Sequence, residues 1–204
     1  MKLHWSPRSP YVRKVMIVAN ETGAVNGIDC VRTAVVRSKL NMELLGDSPV
    51  GRIPTMVLDD ETVLSGSFTI CMYLDSLHQG QKIIPENGKL KWPELELYGV
   101  ADGLIDTLLA LRGESLRSDS AGWPEVITVC NAKIIACLNW LEERCHNFTG
   151  RPYMIGQITT GVALDYLDFR FPDILWREGR PRLETWHSMF RERASSCATE
   201  ITDE

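Results

Sequence analysis

No Cys-x-x-Cys pair occurs among the six cysteines of this 204-residue chain. Structural zinc sites and dithiol redox sites use such pairs, so the sequence indicates neither. No apolar run approaches the ~20 residues that a membrane-spanning helix needs, and the first residues lack the basic-then-apolar layout of a signal peptide. We therefore expect a cytoplasmic protein with reduced thiols, no metal and no membrane association.

An excess of basic residues is also missing. The chain has 22 Lys and Arg against 27 Asp and Glu, a formal net charge of -5. Proteins that bind nucleic acids carry a basic surface, so we expect no nucleic-acid partner. The 44% hydrophobic and 24% charged residues are typical of a globular protein. The length fits one large domain or two modest ones, and we find no internal repeat.

The first part of the chain alternates strand and helix signals, as in a βαβ arrangement. Residues 2–5 predict a short strand, and the β-branched residues within 28–36 predict a second one. The runs 53–58 and 62–64, which the turn residues Asp59-Asp60 separate, predict an antiparallel hairpin. This part of the chain is therefore predicted to be an α/β domain.

Two helices are predicted in the same domain. Ser9 precedes Pro10, which suits the first position of a helix because its missing N–H would be unpaired there. Gly23 is expected to end that helix. Ser67 is predicted to cap the second one. The apolar faces of the two helices are Val12, Val15, Met16 and Ala19, and Ile70, Cys71, Leu74 and Leu77.

Residues 77–89, rich in Gly, Pro and Asn, predict a linker. We place the domain boundaries at 1–79 and 86–204. Every apolar pattern after the linker has helical spacing, which predicts an all-helical second domain. The segment beginning near residue 155 is apolar nearly all round and is expected to be a buried central helix. The four stripes are Leu97, Ala101, Leu104, Leu108 and Leu111; Ile127, Cys130, Ile134, Cys137, Leu141 and Cys145; Ile155, Ile158, Val162, Tyr166 and Phe169; and Leu183, Trp186 and Phe190.

The order of these motifs resembles that of the cytosolic glutathione transferases over about residues 1–193. The segments that carry the resemblance are Ser-Pro-Arg-Ser-Pro-Tyr at 6–11, Gly-Arg-Ile-Pro at 51–54, Leu-x-x-Ser at 64–67 with Ile70, and 163–170. The first and last segments resemble a bacterial branch with an active-site serine. The resemblance implies a thioredoxin-like domain followed by an all-α helical bundle, in a homodimer. It also implies transfer of glutathione to an electrophilic, largely apolar small molecule, as in detoxification.

The resemblance makes Ser9 the catalytic residue, whose hydroxyl donates a hydrogen bond to the sulfur of glutathione. Local sequence alone favours a simple helix N-cap for Ser9, and the resemblance over the whole chain reverses that preference. The two roles are compatible, because the start of a helix favours an anion. Ser6 is a rival donor at the end of the strand. Tyr11 lies past Pro10, inside the helix, and is expected to contact substrate rather than to donate.

Four further positions are implied to bind glutathione. The main chain of Ile53, before a Pro54 that we predict to be cis, would pair with the cysteinyl part; an edge-strand proline is the alternative. Ser67 would receive the γ-glutamyl carboxylate, or act only as a cap. Gly66 stands where relatives usually carry Glu or Asp. Arg52 would meet the glycyl carboxylate, or is an exposed loop charge.

An acid from the first helix of the second domain is implied to reach the γ-glutamyl ammonium of the neighbouring subunit. Asp102 is the candidate, and a solvated surface position is the alternative; Asp106 is assigned to the solvated face. The pocket for the second substrate is expected near Tyr11 and near three residues of that helix, Leu108, Leu109 and Arg112.

A departure from the family concerns the central helix. Relatives begin it with Ser or Thr and place Asp three residues later, which is a capping box. Here those positions are Met154 and Gln157. Met154 cannot cap, whereas Gln157 is expected to reach back to the cap backbone. We expect this to lower the stability of the helix start by about 1 kcal/mol.

Two other functions are compatible with the same fold. A glutathione-dependent disulfide reductase needs a cysteine where Ser9 stands, and none of the six cysteines occupies that helix start. A non-catalytic module would use the fold only to bind a ligand or a protein partner, and Gly66 favours that alternative.

Overall fold

The computed structural model of the protein describes residues 1–36, 38–117 and 122–203. The chain divides into two compact units. The first comprises Met1–Ile84 together with the chain from Ala194 onward, and the second comprises Pro85–Arg193. The sequence placed the boundaries at 1–79 and 86–204, so the structure differs in assigning the last residues to the first unit. Among the described residues, no helix has the length and apolar character needed to cross a membrane.

A four-stranded mixed sheet organises the first unit. Its strands are β1 (Lys2–Trp5), β2 (Asp29–Arg32), β3 (Thr55–Val57) and β4 (Val63–Ser65), in the order β2-β1-β3-β4. β1 and β2 are parallel, whereas β3 is antiparallel to both of its neighbours. The predicted α/β domain and its hairpin are confirmed.

The second strand is shorter than the predicted 28–36. β2 can pair only with β1, and β1 ends at Trp5, which is level with Arg32. The N–H of Thr33 donates the last bond of this pairing to the carbonyl of Trp5, at 2.8 Å. Val36 forms only an isolated bridge further on. The partner strand, rather than the β-branched composition, therefore sets the length of β2.

Three helices of the first unit are α1 (Pro10–Glu21), α2 (Met42–Asp47) and α3 (Ser67–Ser76), and a short 3-10 helix follows α1. α1 ends as predicted, because Gly23 has a φ of 75° directly after the helix. The sequence analysis missed α2, although Asn41 is its N-cap and accepts a bond from the N–H of Leu44 at 3.1 Å. Leu77, predicted to be buried, is 49% exposed because it lies at the C-cap of α3.

The second unit is helical, as predicted. Its long helices are α4 (Lys91–Ser115), α5 (Pro124–Arg144), α6 (Ile155–Arg170) and α7 (Pro181–Glu192), with a 3-10 turn after α5. Every residue of α6 from its start to Leu167 is buried, which confirms it as the central helix. The first predicted stripe is buried throughout. A short helix, α8 (Ala194–Cys197), belongs to the first unit.

The start of α6 is capped by another helix. Met154 is the N-cap and its side chain makes no cap bond, as expected. Contrary to the prediction, Gln157 does not reach back to the cap backbone. Its amide instead donates to the carbonyls of Phe148 and Pro152, at 3.2 and 3.4 Å. The carboxylate of Glu94, on α4, instead accepts from the N–H of Gly156. A buried acid from a neighbouring helix thus supplies the missing cap.

Candidate functional site

The candidate site lies at one end of the sheet. β1 ends, β3 begins and β4 ends there, because Thr55 pairs with His4 of β1 and with Ser65 of β4. Ile53 lies two residues before Thr55, so the same register places it level with the loop after β1 and with the start of α3. The helices α1 and α3, which begin at this end, pack against each other. The fold therefore gathers three sequence-predicted segments in one place.

Ser9 is the N-cap of α1. Its backbone is extended, and its Oγ accepts a hydrogen bond of 3.3 Å from the N–H of Val12. Within the described residues the hydroxyl donates to no group, so its proton stays available to a ligand. Ser9 is half-buried, which leaves the hydroxyl accessible. The capping prediction is confirmed. Capping uses the Ser9 oxygen as an acceptor, whereas a bond to a ligand would use the hydroxyl proton.

Ser6 occupies the other end of the same turn. The N–H of Ser9 donates to the carbonyl of Ser6 at 3.2 Å, and the Ser6 Oγ accepts a long bond of 3.4 Å from the N–H of Arg8. Ser6 is also half-buried. However, its hydroxyl lies before the helix start, so it does not share the first-turn N–H groups of α1.

The peptide bond between Ile53 and Pro54 is cis, which confirms that prediction. The carbonyl of Pro54 accepts from the N–H of Gly66 at 3.3 Å and so joins this segment to the end of β4. Ile53 itself precedes β3. Over the described part of the chain, its own N–H and carbonyl have no hydrogen-bond partner. These two groups can pair with an extended peptide.

The start of α3 differs from the prediction in one respect. Gly66, not Ser67, is the N-cap, and Ser67 is the first helical residue. Gly66 has a φ of 93°, a conformation that residues with a side chain rarely adopt. Glycine adopts this conformation without the strain that a side chain would add. Ser67 is buried, and its hydroxyl has no partner among the described residues, so it and the first-turn N–H groups can receive an anion.

Arg52 and Tyr11 border these segments. Arg52 is exposed, and its side chain forms no ion pair with any residue that the structure describes. Its carbonyl accepts from the hydroxyl of Thr55 at 2.7 Å, which holds the backbone before Ile53. Tyr11 is half-buried, and the ammonium of Lys14 lies 5.1 Å from the centre of its ring.

The remaining candidates belong to the second unit. Asp102 is half-buried on α4 and Asp106 is exposed. Leu108 is fully buried, so it packs in the core of this unit instead of lining an open pocket. Leu109 and Arg112 are half-buried and remain candidates for contact with a second substrate.

One cluster has the composition of a metal site. Potential ligand atoms of Asp165, Asp168 and His187 lie within 4.8 Å of one another. These atoms already have partners: His187 contacts Asp165 at 2.9 Å, and Arg177 makes two bonds of 2.6 and 2.7 Å to Asp168. Trp176 donates to the same carboxylate. The cluster is a hydrogen-bonded network that joins α6 to α7.

Sequence reasoning missed the chain from Ala194 onward, which packs against α1. Arg13 is the residue that could have indicated this contact. It lies on a helix rich in apolar residues and is only 5% exposed, and buried arginines need acceptors. No sequence pattern shows that those acceptors come from the other end of the chain.

Comparisons with known proteins agree with this architecture. Residues 3–82 match the family description "Glutathione S-transferase, N-terminal domain", and residues 124–188 match "Glutathione S-transferase, C-terminal domain". The chain is 23% identical, over 98% of both lengths, to the uncharacterized GST-like protein YibF of Escherichia coli K12.

Two solved structures, each of a glutathione transferase family member from Pseudomonas fluorescens Pf-5, are similar over nearly their whole length. One contains bound glutathione, is 35% identical over 98% of both chains, and has a TM-score of 0.95. The other contains S-(propanoic acid)-glutathione, is 34% identical over 99% of this chain and 100% of that one, and has a TM-score of 0.90. The predicted fold, a thioredoxin-like domain followed by a helical domain, is therefore confirmed, and the chain belongs to the glutathione S-transferase family.

Proposed function

We propose that the protein is a glutathione transferase of the bacterial serine-type branch. It binds glutathione, stabilises the thiolate at Ser9 and transfers it to an electrophilic, largely apolar small molecule. The carbon–sulfur bond forms as the thiolate attacks, and a halide or similar group leaves. The observation that carries this proposal is the Ser9 hydroxyl, which has an unused proton at the start of α1.

The energies involved are sufficient for this role. Lowering the pKa of a thiol by about two units takes roughly 2.7 kcal/mol of differential stabilisation. A hydrogen bond to a charged acceptor contributes about 1.5–3 kcal/mol. A helix start adds up to about 2 kcal/mol when it is partly buried. Ser9 combines both contributions, whereas Ser6 has only the first.

The rest of the glutathione molecule has matching groups. The backbone of Ile53 would pair with the cysteinyl part, Ser67 and the N–H groups of α3 would receive the γ-glutamyl carboxylate, and Arg52 would meet the glycyl carboxylate. Gly66 offers no acid for the γ-glutamyl ammonium. We propose that Asp102 of a second subunit supplies it in a homodimer.

The ligand of one solved relative supports conjugation. The Pseudomonas fluorescens protein with S-(propanoic acid)-glutathione holds a thioether, the type of compound that glutathione transfer produces. By analogy, we propose that this chain also forms thioethers, with Tyr11 contacting the second substrate. Glutathione is mainly a cytosolic thiol, so the proposal places the protein in the cytoplasm.

Disulfide chemistry has less support. The position of Ser9 would have to be a cysteine. Burial also raises the pKa of the thiols of Cys137 and Cys145, which disfavours their reactive thiolate forms. A non-catalytic glutathione-binding module remains the second candidate, since Gly66 removes one expected contact.

Calorimetry with glutathione, followed by an assay with an activated aryl chloride, separates these functions. We expect saturable binding at one site per chain and formation of the aryl thioether. Ser67→Ala should weaken binding about tenfold or more, since it removes one bond to a charged group. Ser76→Ala, at the other end of α3, serves as the matched control and should bind normally.

Binding without conjugation of any electrophile would favour the non-catalytic module. An absence of glutathione binding would overturn the proposed function.

A further inference from the structure

The end of the chain returns to the first unit and follows α1. We call residues 194–203 the C-terminal segment; it contains α8 and the residues after it. It follows α7, the last helix of the second unit, yet its contacts are with the other unit. The C-terminal segment therefore packs against α1, the helix that Ser9 caps.

The first turn of α1 is anchored to this segment by a buried cation, Arg13. The Arg13 guanidinium is 5% exposed and donates from Nε to the carbonyl of Thr199, at 2.7 Å. It also donates to the carbonyl of Ser196, at 3.4 Å. Hydrogen bonds from a charged group are among the stronger ones in proteins, and these two fix the segment along the helix.

A second contact lies at the far end of α1. The Ser195 hydroxyl donates to the Glu21 carboxylate at 2.5 Å. Because α1 is held at its first turn and at its last residue, the direction of the C-terminal segment along the helix is determined. The segment runs from the last residue of α1 towards the first.

The tip of the segment reaches the loop directly before Ser9. The N–H of Thr202 donates to the carbonyl of Pro7 at 3.4 Å. The Arg8 guanidinium donates from Nε to the Asp203 carbonyl at 3.2 Å, and its Nη2 contacts the same oxygen. Its Nε also lies 3.4 Å from the Asp203 carboxylate. Pro7 and Arg8 of the loop are therefore hydrogen-bonded to Thr202 and Asp203, respectively.

We propose that Thr202 and Asp203 position the Ser9 hydroxyl by holding Pro7 and Arg8, so that the tip of the chain acts on thiolate formation without touching glutathione. This inference rests on the proposed role of Ser9. Thr202 and Asp203 are positioning residues, because their contacts go to the loop and not to the reacting sulfur.

Position matters for this role because a hydrogen bond weakens steeply as its length and angle depart from the optimum. A misplacement of about 1 Å can lower the rate of an enzyme by up to about two orders of magnitude. By contrast, Arg8 and Asp203 are 53% and 64% exposed in their side chains. Exposed pairs contribute little to global stability, so the effect of their loss should be local.

The test uses three variants of the full protein: a chain ending after Glu200, Arg8→Met, and Arg144→Met as the matched control. Arg144 forms an exposed ion pair with Glu143 within the second unit. The ultraviolet absorbance of the thiolate, followed against pH, measures the pKa of bound glutathione. Steady-state kinetics and thermal unfolding are measured on the same samples.

We expect the shortened chain and Arg8→Met to raise the thiol pKa of bound glutathione by about half a unit to one unit. Near neutral pH, kcat should fall about three- to tenfold, with little change in KM for glutathione. The unfolding temperature should change by no more than about 2 °C, and Arg144→Met should match the parent in every measurement. Arg8→Lys, which can still reach one carbonyl, should restore part of the loss.

The same changes in a Ser9→Ala background identify the route. If Thr202 and Asp203 act through Ser9, shortening the chain should cause no further change in thiol pKa or kcat once the Ser9 hydroxyl is absent. An undiminished effect in that background overturns the inference, as does a normal thiol pKa in the shortened chain while Ser9→Ala shifts it. If calorimetry shows that the parent protein binds no glutathione, the proposed function itself is wrong, and this outcome is distinct from the two above.

Discussion

The Glu94 carboxylate on α4 accepts a hydrogen bond of 2.6 Å from the backbone N–H of Gly156 at the start of α6. Glu94 is 1% exposed. An added Cβ at Gly156 would lie 2.7 Å from that carboxylate and 2.8 Å from Leu97, so the glycine permits the close approach of the two helices. The cap that Met154 cannot provide is thus replaced by a contact between helices.

This contact makes the stability of the protein depend on pH. Burial raises the pKa of the Glu94 carboxyl above its ordinary 4.5, although bonds from Gly156 and Gln157 and the charge of Arg151 oppose the shift. The folded protein therefore holds the proton more tightly than the unfolded chain does. The free energy of unfolding should fall as pH rises from the ordinary pKa through the raised one.

Glu94→Gln removes this titration, so the parent should lose stability relative to the variant as pH rises from about 4 to 7. Urea unfolding midpoints at several pH values measure the difference. Glu96→Gln, an exposed acid on the same helix, should run parallel to the parent. Parallel curves for Glu94→Gln as well would show that Glu94 does not titrate differently in the two states.

Gly161, in the middle of α6, is required by close packing. A Cβ there would lie 2.3 Å from the ring of Phe190 on α7. Gly161→Ala should therefore destabilise the protein by about 1–3 kcal/mol, in spite of the better helix propensity of alanine. Gly46→Ala in α2 has open space at the same position and should be neutral or stabilising by up to about 1 kcal/mol. Equal unfolding midpoints for the two variants would contradict the packing argument.

Ser9→Ala tests the thiolate donor. It should raise the pKa of bound glutathione by about one to two units and lower turnover near neutral pH by about one to two orders of magnitude. Glutathione affinity should change little. Loss of the cap should also lower stability by about 1 kcal/mol. The pH–rate profile separates the two effects, because lost stability lowers the active fraction without moving the thiol pKa.

Ser6→Ala is the comparison for this experiment. A normal pH–rate profile is expected, because the Ser6 hydroxyl lies before the helix start. If Ser6→Ala shifts the profile and Ser9→Ala does not, Ser6 is the donor. If neither does in an active enzyme, the N–H groups at the start of α1 stabilise the thiolate.

A homodimer is expected from the surface of α4. Beside its buried stripe, this helix has four half-buried apolar side chains, which are Leu95, Tyr98, Val100 and Leu109. One intramolecular face does not need them all. Sedimentation should therefore give about twice the mass of one 23.0 kDa chain. A mass near that of a single chain would remove the proposed role of Asp102 across subunits.

Local patterns in the sequence were sufficient for most of the fold. The helix start at Ser9 and Pro10, the hairpin after Pro54 and the buried helix from Ile155 all follow from short-range signals: a capping side chain, a fixed proline φ and the spacing of apolar residues. Such signals act within about one helical turn, which explains why element types were predicted well. Gly66 was also visible in the sequence, but its reason, a positive φ, required the backbone.

Contacts between residues far apart in the chain were decided by the tertiary structure alone. The length of β2 depends on where β1 ends, the cap of α6 comes from Glu94, 62 residues earlier, and the acceptors for Arg13 come from Ser196 and Thr199. A sequence states which groups need partners, because a buried charge or N–H must be satisfied. Only the packing of the folded chain determines which distant groups form hydrogen bonds with them.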